Sequence, residues 1–212
     1  YPITQKERCD YLIRKFLVSE QPLKSDDLCE ELGVSKTTFA QDLKNVKEEL
    51  KKYRLSLQTA FRKGLYLDGN ESDIQRCTAD YYFYNEYADS DSFTEHTLGM
   101  FYKKYELTIR NTVRNVLDQN HYSMTDLGVN NLVIHILITL FRTEKGMDNG
   151  NQKTGSRDTS NCQLEMKMAE EIAEGTYKRT KILIEKEDLY FIAVHMMGSR
   201  LLTEKDENLI SL

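Results

Sequence analysis

The chain has 212 residues, a formal net charge of −5 and only two prolines, Pro2 and Pro22. Its length suits one large or two small domains, and the 190 residues after Pro22 hold nothing that must break a helix. The four cysteines, Cys9, Cys29, Cys77 and Cys162, have no C-x-x-C spacing, which speaks against a disulfide framework or a zinc site, and no apolar run reaches the roughly 18 to 20 residues that cross a bilayer.

A mainly α-helical, soluble, cytoplasmic protein with reduced thiols, no membrane insertion and no cofactor is therefore expected. The first residue is Tyr rather than Met, and the chain is expected to be a piece of a longer polypeptide. The charge is unevenly spread. Residues 35–64 carry eight lysines and arginines against Asp42, Glu48 and Glu49, a local net charge of +5, while residues 71–212 sum to −7. A polyanion would be drawn to the first segment and repelled by the second.

Thr4 followed by Glu7 has capping-box spacing, and Tyr11, Leu12, Phe16 and Leu17 recur on one face of the helix it opens. A shorter helix follows, starting near Ser25 as its cap, burying Leu28 and Leu32 and ending at Gly33. The turn "LGVS" then supplies Ser35 as the cap of a third helix, whose stripe of Phe39, Leu43, Val46 and Leu50 is expected to be buried. With that stripe inward, Lys36, Thr37, Thr38, Gln41, Lys44 and Asn45 point away from the core at the helix start. Hydroxyls, amides and lysines at a helix N-terminus are groups that reach phosphates and base edges in a major groove. "LSLQ" and "LYLD", joined by "TAFRKG", read as a hairpin whose tip offers Arg62 and Lys63 to a DNA backbone or minor groove.

Three helices and a basic hairpin in this order are the parts of a winged helix-turn-helix. "ELGVSKTTFAQDLKNVKEELKKYRLSL" and "KGLYLDGNESDIQR" resemble the winged-helix module of bacterial sugar-operon regulators of the mannitol-operon-activator and Mga-like type. That resemblance implies double-stranded DNA as a partner, and in such proteins a second helix-turn-helix often precedes this one.

Beyond residue 71 the sequence predicts a five-helix bundle. Its first helix, "ESDIQRCTADYYFYNEY", carries Tyr81, Tyr82, Phe83, Tyr84 and Tyr87 with almost no basic residue among them, so packing is favoured over base stacking. Polar "ADSDS" separates it from an amphipathic helix bearing Leu98, Phe101, Tyr102, Tyr105, Ile109, Val113 and Val116. The third helix runs from about Thr125 to Lys145. After a polar stretch at 146–161, expected to be an exposed, mobile loop, the fourth spans about Gln163 to Tyr177. The extended "KILIEK" leads to the fifth, "EDLYFIAVHMMGSRLL".

The third and fifth helices echo one another: each places an imidazole, His135 or His195, among apolar residues, with an arginine following, Arg142 or Arg200. A metal site is disfavoured, because two histidines 60 residues apart lack the i, i+4 partner and nearby carboxylate or thiol ligands of helical metal sites. Two readings remain open from the residues alone. Each ring is a neutral core histidine satisfied by a hydrogen bond, or the two are phosphoacceptors, since a largely deprotonated imidazole is a nucleophile at neutral pH.

"LVIHILITLFR" and "DLYFIAVHMMGSRLL", about 60 residues apart and following a winged helix, resemble the two histidine motifs of a phosphotransferase-system regulation domain. The resemblance covers roughly residues 72–212 and implies phosphorylation of His135 and His195 by the histidine phosphocarrier protein and sugar-permease components. It also implies supporting roles for Arg142, Asp188 and Arg200, with Glu commoner than Asp at position 188. Arg142 lies about 10.5 Å along the axis from His135 and so is not expected to clamp a phosphate on its own helix. His96 and His121 fit no motif and are expected on the surface.

The expected organisation is a winged helix-turn-helix at 1–71 and a regulation domain at 72–212, forming a homodimeric, non-enzymatic transcription regulator that responds to sugar supply. One rival keeps the fold with unphosphorylated histidines, as in a Mga-like virulence or stress regulator. Another treats the helical part as an interaction scaffold.

Overall fold

In the computed structural model, which describes residues 4–84, 97–147 and 160–200, helix α1 (Gln5–Val18) opens on the reciprocal cap that its sequence encodes. Thr4 Oγ1 accepts from the Glu7 amide at 3.2 Å, and the Glu7 carboxylate accepts from the Thr4 amide at 2.8 Å. Helix α2 (Ser25–Leu32) buries Leu28, Cys29 and Leu32 and stops at Gly33, which takes the left-handed conformation at φ 62°. Ser25 is the first helical residue rather than the cap. Lys24 precedes the helix, and no side chain caps it. Helix α3 (Lys36–Lys51) begins as expected, with Ser35 Oγ accepting from the Thr38 amide at 3.2 Å.

The buried face of α3 departs from the apolar stripe. Phe39, Val46 and Leu50 are buried, but Leu43 is only half-buried and Asp42 is fully enclosed. Arg8 on α1 explains this. Its Nε donates to Asp42 Oδ2 at 2.7 Å and its second nitrogen to Oδ1 at 3.1 Å, a bidentate pair that makes burial of the carboxylate tolerable.

Strands β1 (Ser56–Ala60) and β2 (Gly64–Asp68) pair antiparallel with Ser56 opposite Asp68 and Ala60 opposite Gly64, forming the anticipated hairpin. The far side of β2 is held by Leu23, which exchanges two backbone hydrogen bonds with Leu65 at 2.7 and 2.8 Å. A Cβ on Gly64, at φ 123°, would stand 2.3 Å from the Leu23 carbonyl oxygen. Only glycine fits there.

Helix α4 (Glu71–Ala79) continues through a π-helical turn to Tyr84. Although the sequence assigns it to the bundle, it packs on the first unit. Tyr82 donates to the Arg14 carbonyl at 2.9 Å, Tyr53 donates to Asp80 at 2.9 Å, and the Tyr53 and Tyr81 rings lie 6.1 Å apart. Two compact units result, with Glu71–Tyr84 grouped in the first and Thr97–Lys145 in the second. Tyr87, His96, the "ADSDS" break and most of the polar stretch 146–161 lie outside the described residues.

The second unit contains four helices among the described residues: α5 (Thr97–Gln119), α6 (Asp126–Glu144), α7 (Gln163–Thr180) and α8 (Lys186–Gly198). On α5, Leu98, Phe101, Ile109, Val113 and Val116 are buried, and Tyr102 and Tyr105 half-buried. Thr125 caps α6 by accepting from the Gly128 amide at 3.0 Å. Helix α6 is apolar on nearly all sides, so it forms the centre of the unit, with Leu132, Val133, Ile136, Leu137 and Leu140 inaccessible to solvent. Between α7 and α8 the extended link buries Ile182 and Ile184 and exposes Leu183. No described helix is long and apolar enough to cross a membrane.

Candidate functional site

Around the start of α3, Lys36, Thr37, Gln41 and Lys44 project into solvent, and Thr38 and Asn45 are half-buried. Two of the six are already engaged. Thr38 Oγ1 lies 3.0 Å from Ser35 Oγ, so its hydroxyl is part of the cap. Lys36 Nζ lies 2.7 Å from Asp26 Oδ1, both side chains being about three-quarters or more exposed, and such a pair is easily exchanged for another anion. Ala40 and Lys47 share the exposed side, beyond the six residues expected there.

At the hairpin tip Arg62 and Lys63 are both exposed. Arg62 sits at φ 59°, and the Lys63 amide donates to Ala60 O at 3.0 Å. Phe61, not singled out from the sequence, is 83% exposed, with the Arg62 guanidinium 5.0 Å from its ring centre. The tip thus combines two cations with one apolar ring. All four cysteines are buried free thiols.

In the second unit the two echoing histidines become neighbours. Their ring centroids are 4.3 Å apart with the planes inclined at 31°, and both residues are half-buried. This proximity follows from how α8 meets α6. The Thr125 amide, just before α6, donates to Ser199 O, just after α8, at 3.3 Å, and Met124 bridges Arg200 antiparallel. Gly128 permits the approach, since a Cβ there would stand 2.5 Å from that of Ser199. From this junction α8 runs back along α6, bringing His195 against His135.

Burial pushes the His135 imidazole down to about 4, with the neighbouring His195 ring adding to the effect. Burial likewise lowers His195 from its ordinary value. Both rings are therefore neutral at pH 7, each retaining one nitrogen lone pair. The described residues make no hydrogen bond to either ring.

Arg142 follows His135 by seven residues and Asp188 precedes His195 by seven. With the helices antiparallel, both are displaced the same way, about 10.5 Å along the axes, and both are buried, at 4% and 7% exposure. They do not share a level with the rings. Arg200 is exposed and lies over the Tyr122 ring at 5.2 Å, whose hydroxyl donates to the buried Glu165 at 2.8 Å. His121 is exposed. Among the described residues no group of three or more His, Cys, Asp or Glu could hold a metal ion.

Residues 2–82 match the family model of the Mga helix-turn-helix domain and residues 110–199 that of the PRD domain. The chain pairs an Mga helix-turn-helix domain with a PRD domain. The first match runs beyond residue 71, in keeping with the packing of α4, and the second contains both His135 and His195. The chain is similar to the Probable licABCH operon regulator of Bacillus subtilis (strain 168), 29% identical over 207 residues, which covers 96% of this chain and 31% of that protein. It is also similar to the Transcriptional regulator ManR of the same organism, 23% identical over 140 residues, or 66% of this chain and 21% of that protein. The chain thus spans under a third of the length of either relative.

Proposed function

We propose that this chain is the DNA-binding and sensory part of a sugar-responsive, cytoplasmic transcription regulator. It binds double-stranded DNA through its Mga helix-turn-helix domain and carries out no enzymatic reaction of its own. The exposed face of α3, with Lys36, Thr37, Thr38, Gln41, Lys44 and Asn45, enters a major groove, and Arg62 and Lys63 hold the flanking backbone or minor groove, with Phe61 beside them. The PRD domain accepts phosphoryl groups at His135 and His195 from a histidine phosphocarrier protein and sugar-permease components. Phosphate adds about two negative charges to a half-buried pair of neutral rings, which alters how two copies of the chain pair and hence how two winged helices are spaced. Arg142 and Asp188 support the site through the helices that carry it, and Arg200 does so from just beyond α8.

The observation that carries this reading is the direct apposition of His135 and His195. A pair of neutral, half-buried imidazoles is suited to nucleophilic attack on a phosphohistidine. The test is promoter-DNA binding before and after treatment with phosphoenolpyruvate, the general phosphotransfer enzyme and the phosphocarrier. Binding should weaken with salt, and alanine at Lys44, Arg62 or Lys63 should make the slope of log K on log salt shallower by about 0.9 for each DNA phosphate that is no longer neutralised. Phosphotransfer should change the affinity of the unaltered chain and leave the His135→Ala/His195→Ala double variant unaffected. DNA affinity indifferent to all three cations, or a double variant that responds like the parent, would overturn the proposal.

A further inference from the structure

We infer that Phe61, at the tip of the β1–β2 hairpin, is a wedge that enters the minor groove, parts the stack of a DNA base step and bends the duplex. The inference rests on the DNA-binding reading above and adds to it a contact that is made neither to phosphate nor to a base edge.

Exposure, charge and support meet at this residue. Phe61 is 83% exposed, the most exposed large hydrophobic side chain among the described residues, while the strands on either side bury Leu57 and Leu65. The ring is left out of the packing of its own hairpin. Arg62 and Lys63 follow directly, both exposed, and the segment 35–64 around them has a net charge of +5. Against an apolar protein surface these cations would lose water without gaining anions. A polyanion whose bases present apolar faces suits ring and cations together. The Arg62 guanidinium stands 5.0 Å from the ring centre, so the two side chains form one unit.

The tip is also braced. The Lys63 amide donates to the Ala60 carbonyl at 3.0 Å, closing a β-turn with Phe61 at its first corner. Just behind the turn, Leu65 and Leu23 exchange backbone hydrogen bonds of 2.7 and 2.8 Å. The Gly64 backbone lies so near Leu23 that an added Cβ would stand 2.3 Å from the Leu23 carbonyl oxygen. A side chain carried on a fixed turn costs little ordering on binding. Apolar side chains set between base pairs unstack them and kink the duplex toward the major groove. Pyrimidine–purine steps yield most easily, so the wedge selects TA or CA steps without reading a base edge.

The test uses the full chain and short duplexes that it selects from a random pool, with 2-aminopurine, which brightens on unstacking, placed in turn along the site. The unaltered chain should brighten the probe at a discrete step and draw together the ends of a dye-labelled duplex. Phe61→Ala should abolish both effects and bind about 10-fold more weakly. Its slope of log K on log salt should match the parent's, because no phosphate contact is lost. Phe61→Leu, which keeps an apolar wedge, should retain the bend. Salt-dependent binding in which Phe61→Ala keeps the parent's affinity and bend overturns the wedge and leaves the DNA-binding reading intact, the ring then being free to face a protein. A parent complex that brightens the probe at no position overturns it likewise. Failure of the unaltered chain to select or bind any duplex overturns both.

Discussion

Replacing Asp42 with alanine is expected to destabilise the first unit by about 3–5 kcal/mol, the loss typical of a buried ion pair that has one partner removed. Asp42 is wholly inaccessible and Arg8 is 13% exposed, joined by two hydrogen bonds of 2.7 and 3.1 Å. Truncation would remove both of these hydrogen bonds from the guanidinium. That loss is a large fraction of the stability of a small domain. Because the pair ties α1 to the helix that presents Lys36 and Lys44, promoter binding should fall together with stability. Replacing both residues, as Arg8→Met with Asp42→Leu, should recover most of the loss. Urea unfolding followed by circular dichroism checks both variants. A single Asp42→Ala change costing under about 1 kcal/mol, the range of surface ion pairs, would show that the bond is not maintained.

A second large effect is set by the His135 ring. Its folded-state value, about 4, lies below the ordinary 6.5, so on acidification the unfolded chain takes up the proton first. The stability contributed by the neutral ring is complete above pH 6.5 and is lost as pH falls from there through about 4. At about 1.4 kcal/mol per pH unit this amounts to about 3 kcal/mol, and the lowered His195 acts in the same direction. Following the imidazole Cε1 protons by NMR should show His135 still neutral at pH 5.5. The His135→Gln variant should unfold with a flatter pH dependence between 6.5 and 4. A His135 midpoint near 6.5 would mean that the ring is solvated and that no such pH dependence exists.

The winged helix was legible because its signals are local. Thr4 with Glu7, Gly33, and Ser35 mark helix ends through hydrogen bonds spanning three or four residues, and the alternation around "TAFRKG" fixes a hairpin by itself. Burial of Asp42 was not legible because its partner, Arg8, lies 34 positions away, and helical periodicity ranks faces only by apolarity. The same limit applies to α4. Amphipathic spacing says that one face of Glu71–Ala79 is buried, but not which neighbour buries it, and Tyr82 finds the Arg14 carbonyl. Exposure of Phe61 had no sequence signal, because an aromatic inside a hairpin is ordinarily part of its packed face.

At the histidines the sequence revealed two similar environments and no distance between them. The 4.3 Å approach depends on the junction at Thr125 and Ser199 and on the missing Cβ of Gly128. Each is a tertiary fact with no periodic signature. Equal offsets of seven residues, in contrast, were present in the sequence: Arg142 after one ring and Asp188 before the other become meaningful once α8 is seen to run against α6.

On the proposed function, these two rings are the phosphoacceptors of the chain. This is tested most directly by phosphorylating the protein through the phosphocarrier, digesting it at neutral or alkaline pH and locating acid-labile phosphate by mass spectrometry. Phosphate on His135 and on His195, in separate peptides and absent after alanine replacement of both, is the predicted result. Phosphate confined to His121 or His96, or no acid-labile phosphate at all, would contradict it.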